Sequence, residues 1–246
     1  MKISFLADEK PAAMQALRAC IKRYGQADLA HADVVVVLGG DGFMLKTLHA
    51  LLNYQTPVFG LNLGHVGYLL NHYSLEALPE RVAKAERQEI IPLQISAKTG
   101  GRKVQKQYAF NDFSFTRMTP QAARLGVSVQ SRGHMSRPFI QREVFGDGLI
   151  VATPMGTSGY YQSAQGVPVD TKQDLIALQS VCAKTGFNAV VAPDSKVCVE
   201  VKERQKRPVC IDRDGQDRLP DVRSAVVEQS NRKAMCLLKD KTQNSR

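Results

Sequence analysis

Val34-Val35-Val36-Val37-Leu38-Gly39-Gly40-Asp41-Gly42-Phe43 decides how this chain folds. Five apolar residues, four of them β-branched, read as a buried strand. The run stops at glycines that enclose one carboxylate, and Phe43 to Leu52 then looks helical. Working outward, Ile3 to Ala7 reads as a short buried strand, and Ala12 to Tyr24 as a helix with Met14, Leu17 and Ile21 on its apolar face. Pro57 to Leu61 reads as a third strand, ending at Asn62 and Gly64. Strand, glycine turn and helix in this order describe a βαβ unit and a mostly parallel, Rossmann-like sheet. Ligands of such sheets gather beyond the carboxyl ends of the strands, where both glycine turns lie.

A helix is expected from Leu75 to Gln88, begun after Ser74. Beyond about Ile90 the pattern changes to short strands: Pro92 to Ala97, Gln107 to Thr116, Ala123 to Gln130, Leu149 to Ala152, Ala189 to Val191, Lys196 to Val201 and Pro208 to Ile211. Polar, glycine and proline turns divide them, which predicts an antiparallel β domain. The expected division is therefore an α/β domain over 1–91 and a β-rich domain over 92–246. A last apolar strand, Ala234 to Leu238, can pair with either.

The 246 residues are 43% hydrophobic and 23% charged, which fits a globular enzyme and excludes fibrous or disordered chains. The apolar runs are too short to cross a bilayer as helices, and the amino terminus does not resemble a secretion signal, so a cytoplasmic location is expected. Cys20, Cys182, Cys198, Cys210 and Cys236 stand too far apart for a metal-ligand pattern and read as buried free thiols. A formal charge of +10 attracts nucleic acid, anionic membranes or phosphorylated ligands without choosing among them. Much of the excess, including Lys202 to Arg207, reads equally as a solvated face.

The chemistry concentrates at four places. At Gly40-Asp41-Gly42, glycines let backbone amides approach phosphate oxygens, and the start of a helix favours their charge. Asp41 is the unusual element, because a carboxylate beside phosphate is repelled unless it binds a cation or removes a proton. It is a candidate general base, metal ligand or both; the alternative is a helix cap. The spacing is neither the Walker pattern nor GxGxxG. Asn62 and the turn through Gly64, His65 and Gly67 repeat the arrangement, with no catalytic role assigned to His65. Asn111 and Asp112 pair an amide with a carboxylate, which suits adenine and ribose but also an Asx turn. Asp147, Thr157, Ser158 and Tyr160 offer a carboxylate, hydroxyls and a flat ring; Thr157 or Ser158 can instead be a cap.

These residues closely resemble the NAD kinase family, especially its alphaproteobacterial type. VVVVLGGDGFMLKTLH and GLNLGHVGYLLNHY look like the family's two glycine motifs, while NDFSFTRMTPQAARLGVSVQ and DGLIVATPMGTSGY continue the likeness through the β-rich region. The resemblance implies an amino-terminal α/β domain and a carboxyl-terminal β domain, with the active site in the cleft between them and a neighbouring subunit close by, in a homodimer or homotetramer. It implies phosphoryl transfer from ATP, or polyphosphate, to the adenosine 2′-hydroxyl of NAD with Mg²⁺ or another divalent metal. Asp41 is then the base, with Gly40, Gly42 and Phe43 at the phosphates and Asn62 nearby. Asn111 and Asp112 bind ribose and adenine, and Asp147 the nicotinamide side. Ser158, Gly159, Tyr160 and Ser163 line the pockets, with Thr157 beside them. No ligand set for the metal follows.

The chain departs from the family at named positions. Thr157-Ser158-Gly159 stands where Ser-Thr-Ala is usual, Asp112 replaces a glutamate, and Ser180 to Phe187 replaces a proline-rich segment. Two rival functions remain. A lipid kinase also uses a GGDG turn but predicts an exposed apolar channel. A noncatalytic NAD sensor would bind without turnover. No recognition helix or aromatic-basic pattern marks a nucleic-acid binder, and no specific nucleic-acid or membrane partner is expected.

Overall fold

The computed structural model describes residues 1–64, 67–100, 102–103, 106–131, 139–232 and 235–240. His65 of the second glycine turn and Ala234 of the expected last strand lie outside the described residues. The chain divides into one unit of Met1–Ile90 with Lys233–Arg246 and another of Ile91–Arg232.

The first unit runs β1 (Ile3–Ala7), α1 (Pro11–Tyr24), β2 (Val34–Gly39), α2 (Asp41–Ala50), β3 (Val58–Asn62), β4 (Asn71–His72), α3 (Leu78–Lys84) and β5 (Glu86–Ile90). The chain's final strand, Met235–Lys239, returns here, giving the order β1, β2, β3, final strand, β5, with β4 beside β3. The first three are parallel, as a βαβ path requires, and the final strand runs parallel to β3 and antiparallel to β5. Every residue of β2 is buried, so both faces of the sheet are covered. On one side Ile3, Phe5, Val34, Val36 and Phe59 pack with Ala16 and Cys20 of α1 and with Leu78 and Val82 of α3. Each such side chain contributes roughly 1.5–3 kcal/mol through burial. Gly60 permits a close approach elsewhere: a Cβ there would lie 2.2 Å from Leu70 and 2.3 Å from Met44.

The expected helix from Leu75 to Gln88 is corrected. Helix α3 stops at Lys84, and Glu86–Ile90 instead pairs with the final strand. That pairing joins segments far apart in the chain, so local helical periodicity is overridden by a distant partner.

The second unit contains β6 (Leu93–Thr99), β7 (Arg102–Lys103), β8 (Gln107–Ala109), β9 (Asp112–Arg117), β10 (Ala123–Ser131), β11 (Ile140–Gly146), β12 (Gly148–Ala152), α4 (Tyr160–Ser163), β13 (Ile176–Val181), β14 (Asn188–Val191), β15 (Ser195–Val201), β16 (Val209–Arg213), β17 (Asp217–Leu219) and β18 (Val222–Gln229). One sheet has the order β11-β10-β15-β18-β6-β7 with β8 beside β6, and the other β14-β13-β12-β9-β16-β17. Alternating residues such as Leu125, Val127 and Val129 enter a common core with Phe113, Phe115, Leu149 and Val151. Strand β12 is buried on both faces because Tyr161 of α4 packs with Ile150 and Ala152 behind the sheet. The single strand expected from Gln107 to Thr116 is two, interrupted at Phe110–Asn111. The cysteines are also corrected: Cys20 and Cys210 are buried, Cys198 and Cys236 partly so, and Cys182 is exposed. No helix among the described residues is long and apolar enough to cross a membrane.

Candidate functional site

In the first unit, the carboxyl end of β2 delivers Gly40 and Asp41 to the start of α2. Asp41 is the first helical residue, after Gly40 at the N-cap. Its Oδ2 accepts from the Tyr68 N–H at 3.2 Å, and its Oδ1 from the Leu69 N–H at 3.0 Å. The turn after β3 therefore holds the carboxylate, and the cap alternative does not describe it. Glycines 39, 40 and 42 differ in kind. A Cβ on Gly39 would meet Phe43 at 3.0 Å, whereas one on Gly40 or Gly42 would meet nothing within 4 Å. Packing thus accounts for Gly39 and leaves open space at Gly40 and Gly42, where helix-start amides favour an anion.

Asn62, the last residue of β3, accepts the Gly64 N–H at 2.9 Å and packs against Gly67, where a Cβ would lie 2.5 Å from its Nδ2. It shapes the turn that leads to Asp41's two donors. Lys239, at the end of the final strand, donates to the Tyr68 carbonyl oxygen at 2.6 Å. Sequence reading did not single it out, since nothing in the pattern links it to a turn 171 positions earlier.

In the second unit, Asn111 and Asp112 lie where β9 begins, beside the end of β12 and the exit of β16. The Asp214 carboxylate accepts the N–H groups of Phe110, Asn111 and Asp112 at 2.9, 2.8 and 3.0 Å. Asp214 itself has a left-handed backbone, with φ 50°, and returns its own N–H to the Asp112 carbonyl oxygen at 3.0 Å. Asp112 is only 5% exposed. Burial, then the neighbouring carboxylates of Asp214 and Asp212, push its carboxyl up to about 7. Asp212 in turn is paired with Arg218 at 2.7 Å.

The segment after β12 closes on this loop. Thr153 donates from its hydroxyl to the Phe110 carbonyl oxygen at 2.6 Å and from its N–H to that of Asn111 at 2.8 Å. Gly156 sits so close that a Cβ would be 2.1 Å from the Asn111 oxygen. Thr157 is buried, with its hydroxyl donating to the Pro154 oxygen at 2.7 Å and accepting the Val169 N–H at 3.1 Å. Ser158 and Ser163 donate to the carbonyl oxygens of Met155 and Gly159, at 3.1 and 3.4 Å. A Cβ on Gly159 would meet only the Gly156 oxygen at 3.4 Å, so there is space for the methyl group of the alanine usual in the family, while the backbone at φ −96° and ψ −127° lies outside the α and β regions that alanine favours.

Tyr160 is 44% exposed. Its phenol is raised by burial, then by the charges of Cys182, Asp147, Asp112 and Asp212. Those influences bring Tyr160, Asp147 and Asp112 into one electrostatic neighbourhood. Asp147, between β11 and β12, pairs with Arg117 at 2.6 Å, a partner that sequence reading did not identify. The Ser180 to Phe187 segment forms a tight loop: Lys184 donates to the Phe145 oxygen and Phe145 to that of Thr185, both at 2.8 Å.

Known proteins resemble this chain over most of its length. Residues 5–90 match the ATP-NAD kinase N-terminal domain, and residues 128–236 the ATP-NAD kinase C-terminal domain. An NAD kinase of Cereibacter sphaeroides is 39% identical over 217 residues, covering 87% of this chain and 83% of the relative. One from Caulobacter vibrioides is 36% identical, covering 85% and 79%, and one from Xylella fastidiosa 33%, covering 99% and 92%. The fold is that of yeast NADH kinase solved with NADH, with TM-score 0.83, 17% identity and coverage of 100% and 85%. An Archaeoglobus fulgidus NAD kinase solved with ATP gives 0.78, 22% identity and coverage of 98% and 95%. The lipid-kinase and sensor alternatives gain nothing from these matches. By sequence over most of its length, the chain belongs to the NAD kinase family of enzymes.

Proposed function

We propose that this enzyme transfers the terminal phosphoryl group of ATP to the adenosine 2′-hydroxyl of NAD, with Asp41 as general base. The proposal is carried by the Asp41 carboxylate, which is held by a neighbouring turn rather than its own helix and stands between two glycines that packing does not require. In the proposed step Asp41 accepts the 2′-hydroxyl proton while that oxygen bonds to the terminal phosphorus. The phosphorus–oxygen bond to ADP breaks, and ADP leaves with the electron pair. The amides at Gly40 and Gly42, with Phe43 following, take the donor phosphates. Asn111 and Asp112 bind adenine and ribose, Asp147 the nicotinamide side, and Ser158, Gly159, Tyr160 and Ser163 line the pockets with Thr157 supporting them.

Among the described residues no group of three or more His, Cys, Asp or Glu side chains is arranged to hold a metal ion. In the proposed reading Mg²⁺ or another divalent metal accompanies the phosphates of the nucleotide donor. The same reading has the enzyme act in the cytoplasm as a homodimer or homotetramer. The test offers NAD and NADH with ATP or polyphosphate to the purified chain and identifies products by mass spectrometry. NADP formed with ATP supports the proposal; product only with polyphosphate changes the donor; NAD binding without product makes the chain a sensor.

A further inference from the structure

The final strand brings a cation to the candidate base along a defined path. The Lys239 ammonium donates to the Tyr68 carbonyl oxygen at 2.6 Å. That carbonyl belongs to the same planar peptide group as the Leu69 N–H, which donates to Asp41 Oδ1 at 3.0 Å. One peptide thus lies between ammonium and carboxylate, bonded to each. A cation on the carbonyl withdraws electron density and makes the N–H a stronger donor; such polarisation strengthens linked hydrogen bonds by ~10–30%.

The surrounding contacts fix this relay. Asn71 donates to the carbonyl oxygens of Gly60 and Leu238 at 3.0 and 3.1 Å and accepts the Asp240 N–H at 2.8 Å. Asp240 is also bonded to Arg81 at 2.8 Å. The backbone on both sides of Lys239 is therefore pinned to the unit that carries Asp41. Burial pushes the Lys239 ammonium down to about 8, while the Asp41 carboxylate pulls the other way.

We propose that Lys239 is a positioning residue for phosphoryl transfer: through the Tyr68–Leu69 peptide it orients the Asp41 carboxylate, and its charge offsets the repulsion that Asp41 meets when donor phosphates bind. This rests on the reading of Asp41 as the base. A residue that merely braced the turn would influence stability but would not act through its charge on the Leu69 N–H bond to Asp41.

The experiment compares the parent with Lys239→Met and Lys239→Arg, measuring melting, kcat, the KM for NAD, and the Leu69 amide proton by NMR, whose downfield position reports its hydrogen bond to Asp41. Lys239→Met is expected to lower kcat about tenfold, equivalent to 1.36 kcal/mol of barrier, and to leave the KM for NAD unchanged. It also moves the Leu69 amide proton upfield, because the peptide loses the cation that polarises it. Lys239→Arg restores most of both. A parent-like kcat or an unmoved Leu69 amide in Lys239→Met overturns the proposal. Should that variant not fold, the parent decides: its Leu69 amide must shift as pH rises through about 8, where Lys239 loses its proton, and a signal that does not move overturns the coupling. A parent that forms no NADP defeats the reading of the site, while the amide signal, which needs no turnover, still decides the link between Lys239 and Asp41.

Discussion

Asp214 Oδ1 accepts the backbone N–H of Asn111 at 2.8 Å, across 103 positions of the chain. With the bonds from Phe110 and Asp112, one carboxylate fixes the loop that carries two proposed NAD contacts. Asp214→Asn replaces one acceptor oxygen with an NH₂ group facing backbone donors. Leaving a buried N–H unsatisfied costs about 1–3 kcal/mol. The variant should melt lower and bind NAD more weakly, as read by calorimetry on both. Parent-like melting and affinity would show that the loop holds its shape without this carboxylate.

Asp112 gives a pH dependence of defined sign. Its folded-state value of about 7 lies above the ordinary 3.8, so the folded chain holds this proton more tightly than the unfolded chain. Its contribution to stability is complete below about 3.8, falls as pH rises through the folded value near 7, and is level above. Asp112→Asn removes the buried charge and should flatten this part of the melting profile, with the variant gaining on the parent toward pH 8. Parallel profiles from pH 4 to 8 would contradict the assignment.

Glycines at the donor turn separate folding from binding. Gly42 lies in α2, and a Cβ there meets nothing within 4 Å. Gly42→Ala should therefore stabilise the helix by up to about 1 kcal/mol. If donor phosphate occupies that open space, the KM for ATP rises while the KM for NAD holds. A variant that is more stable and has unchanged ATP kinetics would place the phosphates elsewhere.

Much of this was readable in the sequence because it is local. The β-branched run, its glycines and Asp41 are consecutive, so strand, turn and helix start declare themselves together. Strand β18 escaped because a register shift between Val222 and Ser224 breaks its alternation, and β11 because three successive residues, Gln141 to Glu143, are exposed. The first residues of β5, Glu86 to Gln88, read as helix because their partner lies near the end of the chain. The same distance hid Asp214 and Lys239: each acts on a backbone group far earlier in sequence, and a lone aspartate or lysine carries no pattern that names its partner. Departures from the family's usual residues were visible, but only the structure shows that position 159 has room for alanine.

Asp41→Asn tests the proposed chemistry most directly. The substitution keeps the side chain's size and one carbonyl oxygen, but removes the negative charge and the proton-accepting oxygen. The structure adds a cost that local sequence does not indicate, since both carboxylate oxygens accept backbone N–H bonds, from Tyr68 and Leu69. Asparagine can satisfy only one, so a stability loss of about 1 kcal/mol is expected beside the catalytic effect. Turnover at saturating ATP and NAD should fall by on the order of 10²–10⁴, the usual contribution of a general base. Direct NAD affinity should change far less, because the proposed NAD contacts are other residues. Measuring turnover, NAD affinity and melting on one preparation separates the possibilities. Near-normal turnover in the folded variant rules out Asp41 as the base. Lost NAD binding with intact saturated turnover makes it a substrate contact. A folded variant that binds NAD and scarcely turns over leaves proton acceptance or metal contact, and a titration with Mg²⁺ divides them: rescue at high metal points to coordination, and its failure to the base.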